Sequence, residues 1–304
     1  MSLAPHVAVV GSLHYDIMVR APYLPRTGET LMGESWWWKP GGKGGNQAMA
    51  AARHGAEVHM SGSLGADDFG EVLRTRLREA GVDLARIRTV ERGSGMSVAL
   101  QQADGDYAAV VVSGANREID EEQVTASAAA ITDARVLVLQ NEISEDASVA
   151  AARLARGASV TVVHNAAPAR AMGELAGLVD ILVVNTIEAE QLGAGRVSDR
   201  ASAAQAASAL RRVAPAVVVT AGGAGVAAAG PDGSIELPPH PVERPQTHGA
   251  GDVFVGAMAA RLAVGESYLD ALRYANAAAA LHVGTPEAER VEIGPADVER
   301  LLEG

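Results

Sequence analysis

A chain of 304 residues with 48% hydrophobic and 20% charged residues holds enough apolar material for one large α/β core, with room for a small appendage. Its formal net charge of −12 argues against a nucleic-acid backbone as the main partner, but not against an anionic ligand, because backbone N–H groups bind phosphate on acidic proteins too. The absence of cysteine excludes disulfides and thiolate metal sites and fits a reducing cytoplasm, the expected compartment. Met1 to Pro5 show no basic stretch followed by an apolar one, so no signal peptide is expected. The longest uncharged run, Val213 to Pro231, contains Pro215, Gly222, Gly223, Gly225 and Gly230, and reads as strand, turn and strand, so no membrane span is expected.

In chain order, Val7–Val10 is a short apolar run ending at Gly11-Ser12, a buried first strand. Gly44 to His54 is Ala-rich and closed by Gly55, which predicts a helix. Val58–Ser61 follows as a strand, and Asp67 to Ala80 as a helix with an acidic first turn and Gly81 at its end. Val98–Gln102 and Tyr107–Val112 flank Asp104-Gly105, a hairpin signal. Further strands are predicted at Val136–Leu139, Val160–Val163, Ile181–Val184, Val217–Thr220 and Val226–Ala229. Helices are predicted at Glu145–Arg156, from Thr186, at Ser202–Val213, Gly251–Val264, Tyr268–Val283 and Pro295–Leu301.

Strands alternate with helices from about Val136 onward, which predicts a doubly wound, mostly parallel sheet covered on both faces. Asp16–Arg20 with Thr30–Trp38, and Val98–Val112, break that rhythm. They read as a small β lid, formed by about residues 16–38 and 98–112, on a single domain spanning 1–304. Trp36-Trp37-Trp38 holds all the tryptophans of the chain. Because neighbours in a strand face opposite ways, at least one of the three rings must point away from the other two. Packing against the protein's own body and contact with a second subunit are both open for them, and the expected partner is a second copy meeting at the lid.

Four segments carry candidate chemistry. Pro40-Gly41-Gly42-Lys43-Gly44-Gly45-Asn46-Gln47-Ala48 opens a helix. Its glycines let backbone approach a ligand, and Lys43 and Asn46 offer a cation and a donor–acceptor amide. The plain alternative is a flexible loop before a helix. Thr247-His248-Gly249-Ala250-Gly251-Asp252 places small residues and a carboxylate at another helix start. That geometry makes an anion hole, in which Asp252 serves either as the helix N-cap or as a base beside an arriving phosphate. Asn185-Thr186-Ile187-Glu188 follows a strand. Asn185 could reach a phosphate oxygen and Glu188 could hold Mg²⁺ through water, or the pair could simply cap a helix. Thr220-Ala221-Gly222-Gly223-Ala224-Gly225 also follows a strand, either as a nucleotide-approach loop or as a hairpin turn, and no Walker A or G-x-G-x-x-G pattern occurs. A dinucleotide-binding dehydrogenase is excluded, because Gly11-Ser12-Leu13-His14-Tyr15-Asp16 lacks that fingerprint after the first strand.

In order and spacing the four segments resemble the ribokinase family of sugar kinases, within the wider pfkB carbohydrate kinase group, from Val7 to about Val283. The first signature fits at Gly41, Gly42, Gly44, Asn46, Ala48, Gly55 and Gly65, and the second from Gly249 to Ala257. Gly11-Ser12 with Asp16, Ser113 to Asn116, Gln140 to Glu142 and Asn165 to Arg170 match the same branch. The resemblance implies an ATP- and Mg²⁺-dependent transfer of phosphate to a sugar hydroxyl. It puts His14, Asp16, Gly42, Lys43, Asn46 and Glu142 at the sugar. Asp252 would be the base, with the backbone of Gly249, Ala250 and Gly251 as the anion hole. Asn185, Thr220, Gly222, Gly223, Gly225 and Asn276 would serve the nucleotide, and Glu188 the hydrated Mg²⁺. A pentose is the expected acceptor, a nucleoside of the same fold's kinases the alternative, and a sugar-sensing protein that has lost catalysis a further one.

The chain departs from the family at His14, where Asn is usual, and at Gln246, where Asp usually helps hold a monovalent cation. Glu287 to Glu292 also lack the glycine-rich loop of that cation site. Potassium activation is therefore expected to be weak or absent, with Arg290 as the replacement charge.

Overall fold

The computed structural model describes residues 6–102, 107–231, 233–243 and 248–303. Thirteen strands and ten α-helices follow one another in the described chain. They are β1 (His6–Val10), β2 (His14–Arg20), β3 (Ser35–Gly41), α1 (Lys43–Arg53), β4 (Glu57–Gly65), α2 (Asp68–Glu79), β5 (Val82–Val90), β6 (Gly95–Gln101), β7 (Tyr107–Val112), α3 (Glu121–Ala126) and α4 (Ala128–Thr132). Then come β8 (Val136–Gln140), α5 (Glu145–Gly157), β9 (Thr161–Asn165), β10 (Ile181–Asn185), α6 (Thr186–Gln191), α7 (Arg200–Leu210), β11 (Ala216–Thr220), β12 (Val226–Gly230), β13 (Gly233–Leu237), α8 (Ala250–Ala263), α9 (Tyr268–Gly284) and α10 (Pro295–Glu303).

Nine strands form one sheet in the order β13-β12-β11-β10-β9-β8-β1-β4-β5. From β11 to β5 every neighbouring pair is parallel, and β12 and β13 add an antiparallel edge. Its central strands are apolar on both faces because helices cover both. On β1, Val7 and Val9 enter the core that contains Phe254, Met258 and Leu272, while Ala8 and Val10 enter the one that contains Ile131, Val149 and Leu210. Strand alternation thus feeds two apolar layers, with α1, α2, α8 and α9 on one side and α3, α4, α5 and α7 on the other.

Most helices start at side-chain caps. Asp67, Ser144, Asp199 and Ser267 accept hydrogen bonds from the first-turn amides of α2, α5, α7 and α9. Helices α1 and α8 start differently, at Gly42 and Gly249, each with φ +82° and without a side-chain cap of its own. These are the two glycine-rich helix starts of the sequence reading, where the left-handed backbone requires glycine. Inside the core they meet face to face, since a Cβ on Gly256 of α8 would lie 2.6 Å from the Ala50 Cβ and the Gln47 carbonyl of α1.

A second sheet has the order β3-β2-β6-β7, with β2 and β6 parallel and both outer pairs antiparallel. It contains the two segments that break the α/β rhythm. Its third segment begins later than the sequence suggests, at Ser35 opposite Arg20, and Thr30 lies outside any strand. The Asp104-Gly105 turn lies outside the described residues. Trp38 stacks on Tyr15, with ring centroids 4.9 Å apart, and Tyr15 on Phe69, at 4.2 Å. Arg76 of α2 covers the Trp38 ring, and Arg20 covers that of Trp37. Trp36 is 68% exposed. The triplet thus divides: Trp38 packs on the body and Trp36 faces solvent.

Strand β5 and helices α3 and α4 have no counterpart in the sequence reading. Strand β5 (VDLARIRTV) lies at a sheet edge and buries only Val82 and Ile87, so its pattern lacks the apolar run of a central strand. Helices α3 and α4 have six and five residues, too short to display a helical period.

Candidate active site

The strand ends of the main sheet, the first turn of α1 and the start of α8 converge. Asp252 sits in the first turn of α8, buried, with no capping role. Its Oδ2 accepts from Asn46 Nδ2 at 3.1 Å and its Oδ1 from Gln47 Nε2 at 2.9 Å. The carboxylate is thus held by two side-chain amides of α1, and the N-cap reading of it gives way to Gly249, which occupies that position. Behind it a chain of amides continues. Gln47 Nε2 also donates to Asn165 Oδ1 at 3.0 Å, and Gln47 Oε1 accepts from Gln140 Nε2 at 2.8 Å. Asn165 is in turn fixed by donating to the Val183 carbonyl. Burial pushes the Asp252 carboxyl above the usual range; the charge of Lys43 and the bonds from Gln47 and Asn46 oppose this only in part. A carboxylate so placed is a stronger proton acceptor than a solvated one.

Beside it, the loop after β1 and the start of α1 share a second carboxylate. Glu142 Oε2 accepts from Ser12 Oγ at 2.5 Å and from the Lys43 backbone N–H at 2.8 Å. The cap of α1 therefore comes from a residue 99 positions away. His14 Nδ1 lies 3.8 Å from the same oxygen, and its buried Nε2 has no protein partner. Asp16, on β2, accepts from Ser97 Oγ of β6 at 2.5 Å. A Cβ at Gly41 would lie 2.0 Å from Asp16 Oδ2, so glycine there leaves the carboxylate its space. At Gly42 a Cβ would meet the His14 amide nitrogen at 2.8 Å. The loop carrying Leu13 is locked by Asn116, which accepts from the Leu13 N–H and donates to its carbonyl. His14, Asp16, Gly42, Lys43, Asn46 and Glu142 are thus brought onto one side of the molecule, around the first turn of α1.

Asn185 and Glu188 form a capping box at the start of α6. The Asn185 side chain accepts from the Glu188 N–H, and Glu188 Oε2 accepts from the Asn185 N–H, both at 2.8 Å. Burial raises the Glu188 carboxyl, the Asn185 N–H and Lys43 lower it, and the charge of Asp252 raises it further. Two carboxylates therefore act on each other across a site that also feels Lys43. A hydrated divalent cation suits that donor set, because it relieves the repulsion and Glu188 has a second oxygen to offer.

Thr220 ends β11, next to Asn185 in the sheet register. Gly222 to Gly225 form a tight turn, closed by the Ala221 N–H donating to the Gly225 carbonyl at 2.8 Å. Gly225, at φ +97°, passes so close to the Leu237 carbonyl that a Cβ would lie 2.2 Å from it. By geometry the segment is the hairpin turn that joins β11 to the antiparallel β12. Asn276, on α9, donates to the Pro238 carbonyl and lines a cavity of about 630 Å³ with Pro238, Pro239, Arg273 and Tyr274. Asp252 is not among the residues around that cavity.

The model of the pfkB family carbohydrate kinases matches residues 4–292. The chain belongs to this family. It is 35% identical to a ribokinase of Haemophilus influenzae over 280 residues, 91% of this chain and 92% of that protein. It is 33% identical to a ribokinase of Bacillus subtilis over 298 residues, 98% and 99% of the two chains. The structure of Arabidopsis thaliana ribokinase complexed with ribose and ATP superposes with a TM-score of 0.90 at 29% identity, covering 99% of each chain.

In this carbohydrate kinase the sequence reading missed the amide chain beneath Asp252. Gln47 stands inside the first signature and is fully buried, and Gln140 and Asn165 close apolar strands. A signal was present: an amide ending a run such as VLVLQ or TVVHN requires a buried hydrogen-bond partner. Ser12 and Ser97, the partners of Glu142 and Asp16, carried no such signal. Gln246 lies outside the described residues. Arg290 is buried, and its Nε donates to the Thr285 carbonyl at 3.0 Å.

Proposed function

We propose that this ATP-dependent sugar kinase phosphorylates a pentose, with Asp252 as the general base. The observation that carries the reading is the Asp252 carboxylate, held by Asn46 and Gln47 at the open start of α8, next to the left-handed Gly249. An acceptor hydroxyl bonded to Asp252 gives up its proton to the carboxylate as its oxygen bonds to the γ-phosphorus. The bond from that phosphorus to the β-bridging oxygen breaks, and ADP leaves. The backbone N–H groups of Gly249, Ala250 and Gly251, at the positive end of α8, hold the charge on the transferred phosphoryl oxygens. Asp16, Gly42, Lys43, Asn46, Glu142 and His14 bind the sugar, Asp16 accepting from two hydroxyls. Asn185, Thr220, Gly222, Gly223, Gly225 and Asn276 serve the nucleotide. Glu188 would hold Mg²⁺ through water, and the ion would supply charge neutralisation on the phosphates. The four-stranded sheet acts as a lid on the single kinase domain and excludes water from the transfer.

Relatives whose names read ribokinase support a pentose over a nucleoside. His14, bulkier than the usual Asn, makes the sugar's hydroxyl pattern the open variable, since its unpartnered Nε2 is available to a ligand hydroxyl. A screen of pentoses, ketohexoses and nucleosides for ATP-dependent ADP release should give the highest kcat/KM with a pentose. A nucleoside exceeding every sugar, or no release with any acceptor, would overturn the assignment. Rates in potassium and sodium buffers should agree within about two-fold, because monovalent-cation binding would lack the usual Asp at Gln246 while Arg290 would supply the replacement charge; a several-fold gain specific to potassium would refute this.

The exposed Trp36 of β3 and Val110, Val111 and Val112 of β7 support homodimerisation through the lid. No helix among the described residues is long and apolar enough to cross a membrane, and cytoplasmic placement accords with that and with the cysteine-free composition.

A further inference from the structure

At the end of the main sheet opposite Asp252, three metal-ligating side chains meet on one face. His6 and Glu57 are the first residues of β1 and β4 and stand side by side in the parallel register. His59 follows two residues after Glu57 and so projects to the same face. One ligand atom from each of the three lies within 4.8 Å of the others. His6 Nε2 is 3.3 Å from Glu57 Oε2, and the two imidazole rings are 5.5 Å apart. Ligands of a tetrahedral zinc, bound at 2.0–2.1 Å, are about 3.3 Å from one another, so the first pair already has that spacing.

A fourth residue completes the pattern. Asp83 of β5 is registered against His59, and its Oδ2 lies 2.8 Å from His59 Nδ1. A carboxylate there accepts a hydrogen bond from Nδ1–H, orients the ring and leaves the Nε2 lone pair for a metal, the usual arrangement behind a ligating histidine. Two separate ion pairs, His6 with Glu57 and His59 with Asp83, would not by themselves require one ligand atom from each of His6, Glu57 and His59 to lie within 4.8 Å of the others. We propose that His6, Glu57 and His59 bind a divalent transition-metal ion of the zinc class, with Asp83 as the positioning carboxylate and water in the open coordination position. Imidazole nitrogen selects such ions over Mg²⁺, which prefers oxygen. The site is remote from the kinase chemistry, since β1 alone carries the chain about 13 Å from His6 to Val10, at 3.3 Å per residue, before it reaches Ser12. The metal therefore clamps the starts of β1 and β4 and affects stability, not turnover.

The test uses full-length protein without a histidine tag, stripped of metal. Titration with Zn²⁺ by calorimetry, and with Co²⁺ followed by its visible d–d absorption, should show one equivalent per chain, retained in millimolar Mg²⁺. Zn²⁺ without nucleotide should raise the melting temperature, and sugar-kinase turnover should be the same before and after loading. His6→Ala and His59→Ala should abolish uptake, as should Glu57→Gln, which keeps side-chain volume. Asp83→Asn should weaken binding by roughly 10–100-fold. Absence of saturable uptake, or uptake unchanged in both His6→Ala and Glu57→Gln, would overturn the proposal.

Discussion

As the proposed base, Asp252 would serve catalysis at the expense of stability. Burial is the main cause of its raised carboxyl, ahead of the opposing charge of Lys43 and the bonds from Gln47 and Asn46. A base acts when deprotonated, so kcat/KM should fall on the acid side, along a limb displaced above the ordinary aspartate value of about 3.9. A pH–rate profile checks this, and Asp252→Asn should lower kcat by about 10²–10⁴ while calorimetric sugar binding persists. The stability sign is the reverse. With its folded pKa raised, the native state holds this proton more tightly than the unfolded chain does. The stabilisation that this affords is full below the unfolded pKa and is lost as pH rises through the folded one. At pH 7–8 the buried carboxylate is therefore a net cost. Asp252→Asn should melt at or above the wild-type temperature there, with the gap narrowing toward acid; a variant that melts well below wild type at pH 8 would contradict this.

Among elements, the pair α1 and α8 fixes the geometry of the site. Both start at a left-handed glycine, and one residue of α8, Gly256, lets the axes approach until its missing Cβ would overlap Ala50 and the backbone of Gln47 and Ala51. Gln47 is also one of the two residues that hold Asp252. Gly256→Ala should therefore act twice. Overpacking against backbone atoms should cost about 1–3 kcal/mol in a denaturant titration. The displaced helix should carry Asp252 away from its amides and reduce kcat more than KM, since small misplacements of a reacting group cost heavily in rate. A variant with full kcat would show that the helix spacing does not set the geometry of transfer.

For the whole molecule, the second sheet has two exposed edges, β3 and β7, and exposes Trp36 on one and Val110, Val111 and Val112 on the other. Unpaired edges rimmed by large apolar side chains invite pairing with another chain. Wild type should therefore sediment as a dimer, and Trp36→Glu combined with Val110→Lys should shift it to monomer in analytical ultracentrifugation. A wild-type monomer at micromolar concentration would refute the lid as an interface. Because the second sheet, the proposed lid, carries Asp16 and Ser97, a monomeric variant should also show a raised sugar KM.

The alternation of strands and helices, the two glycine-led helix starts and the carboxylate at position 252 are all legible in the chain, because each depends on local backbone requirements or on periodicity. That Gln140 and Asn165 need buried partners is legible as well; that they meet at Gln47 beneath Asp252, and that Glu142 caps α1, is not. Those contacts join residues about a hundred positions apart, and no local preference encodes a partner so far away. Asn185 and Glu188 illustrate the boundary between the two. Their spacing predicts both a capping box and a phosphate site; folding forms the box and places it in the field of Lys43 and Asp252. Residue types and spacing thus determined which chemistry the chain can perform. Packing decided which side chains meet, because only a closed core brings distant polar groups within hydrogen-bonding reach and away from water.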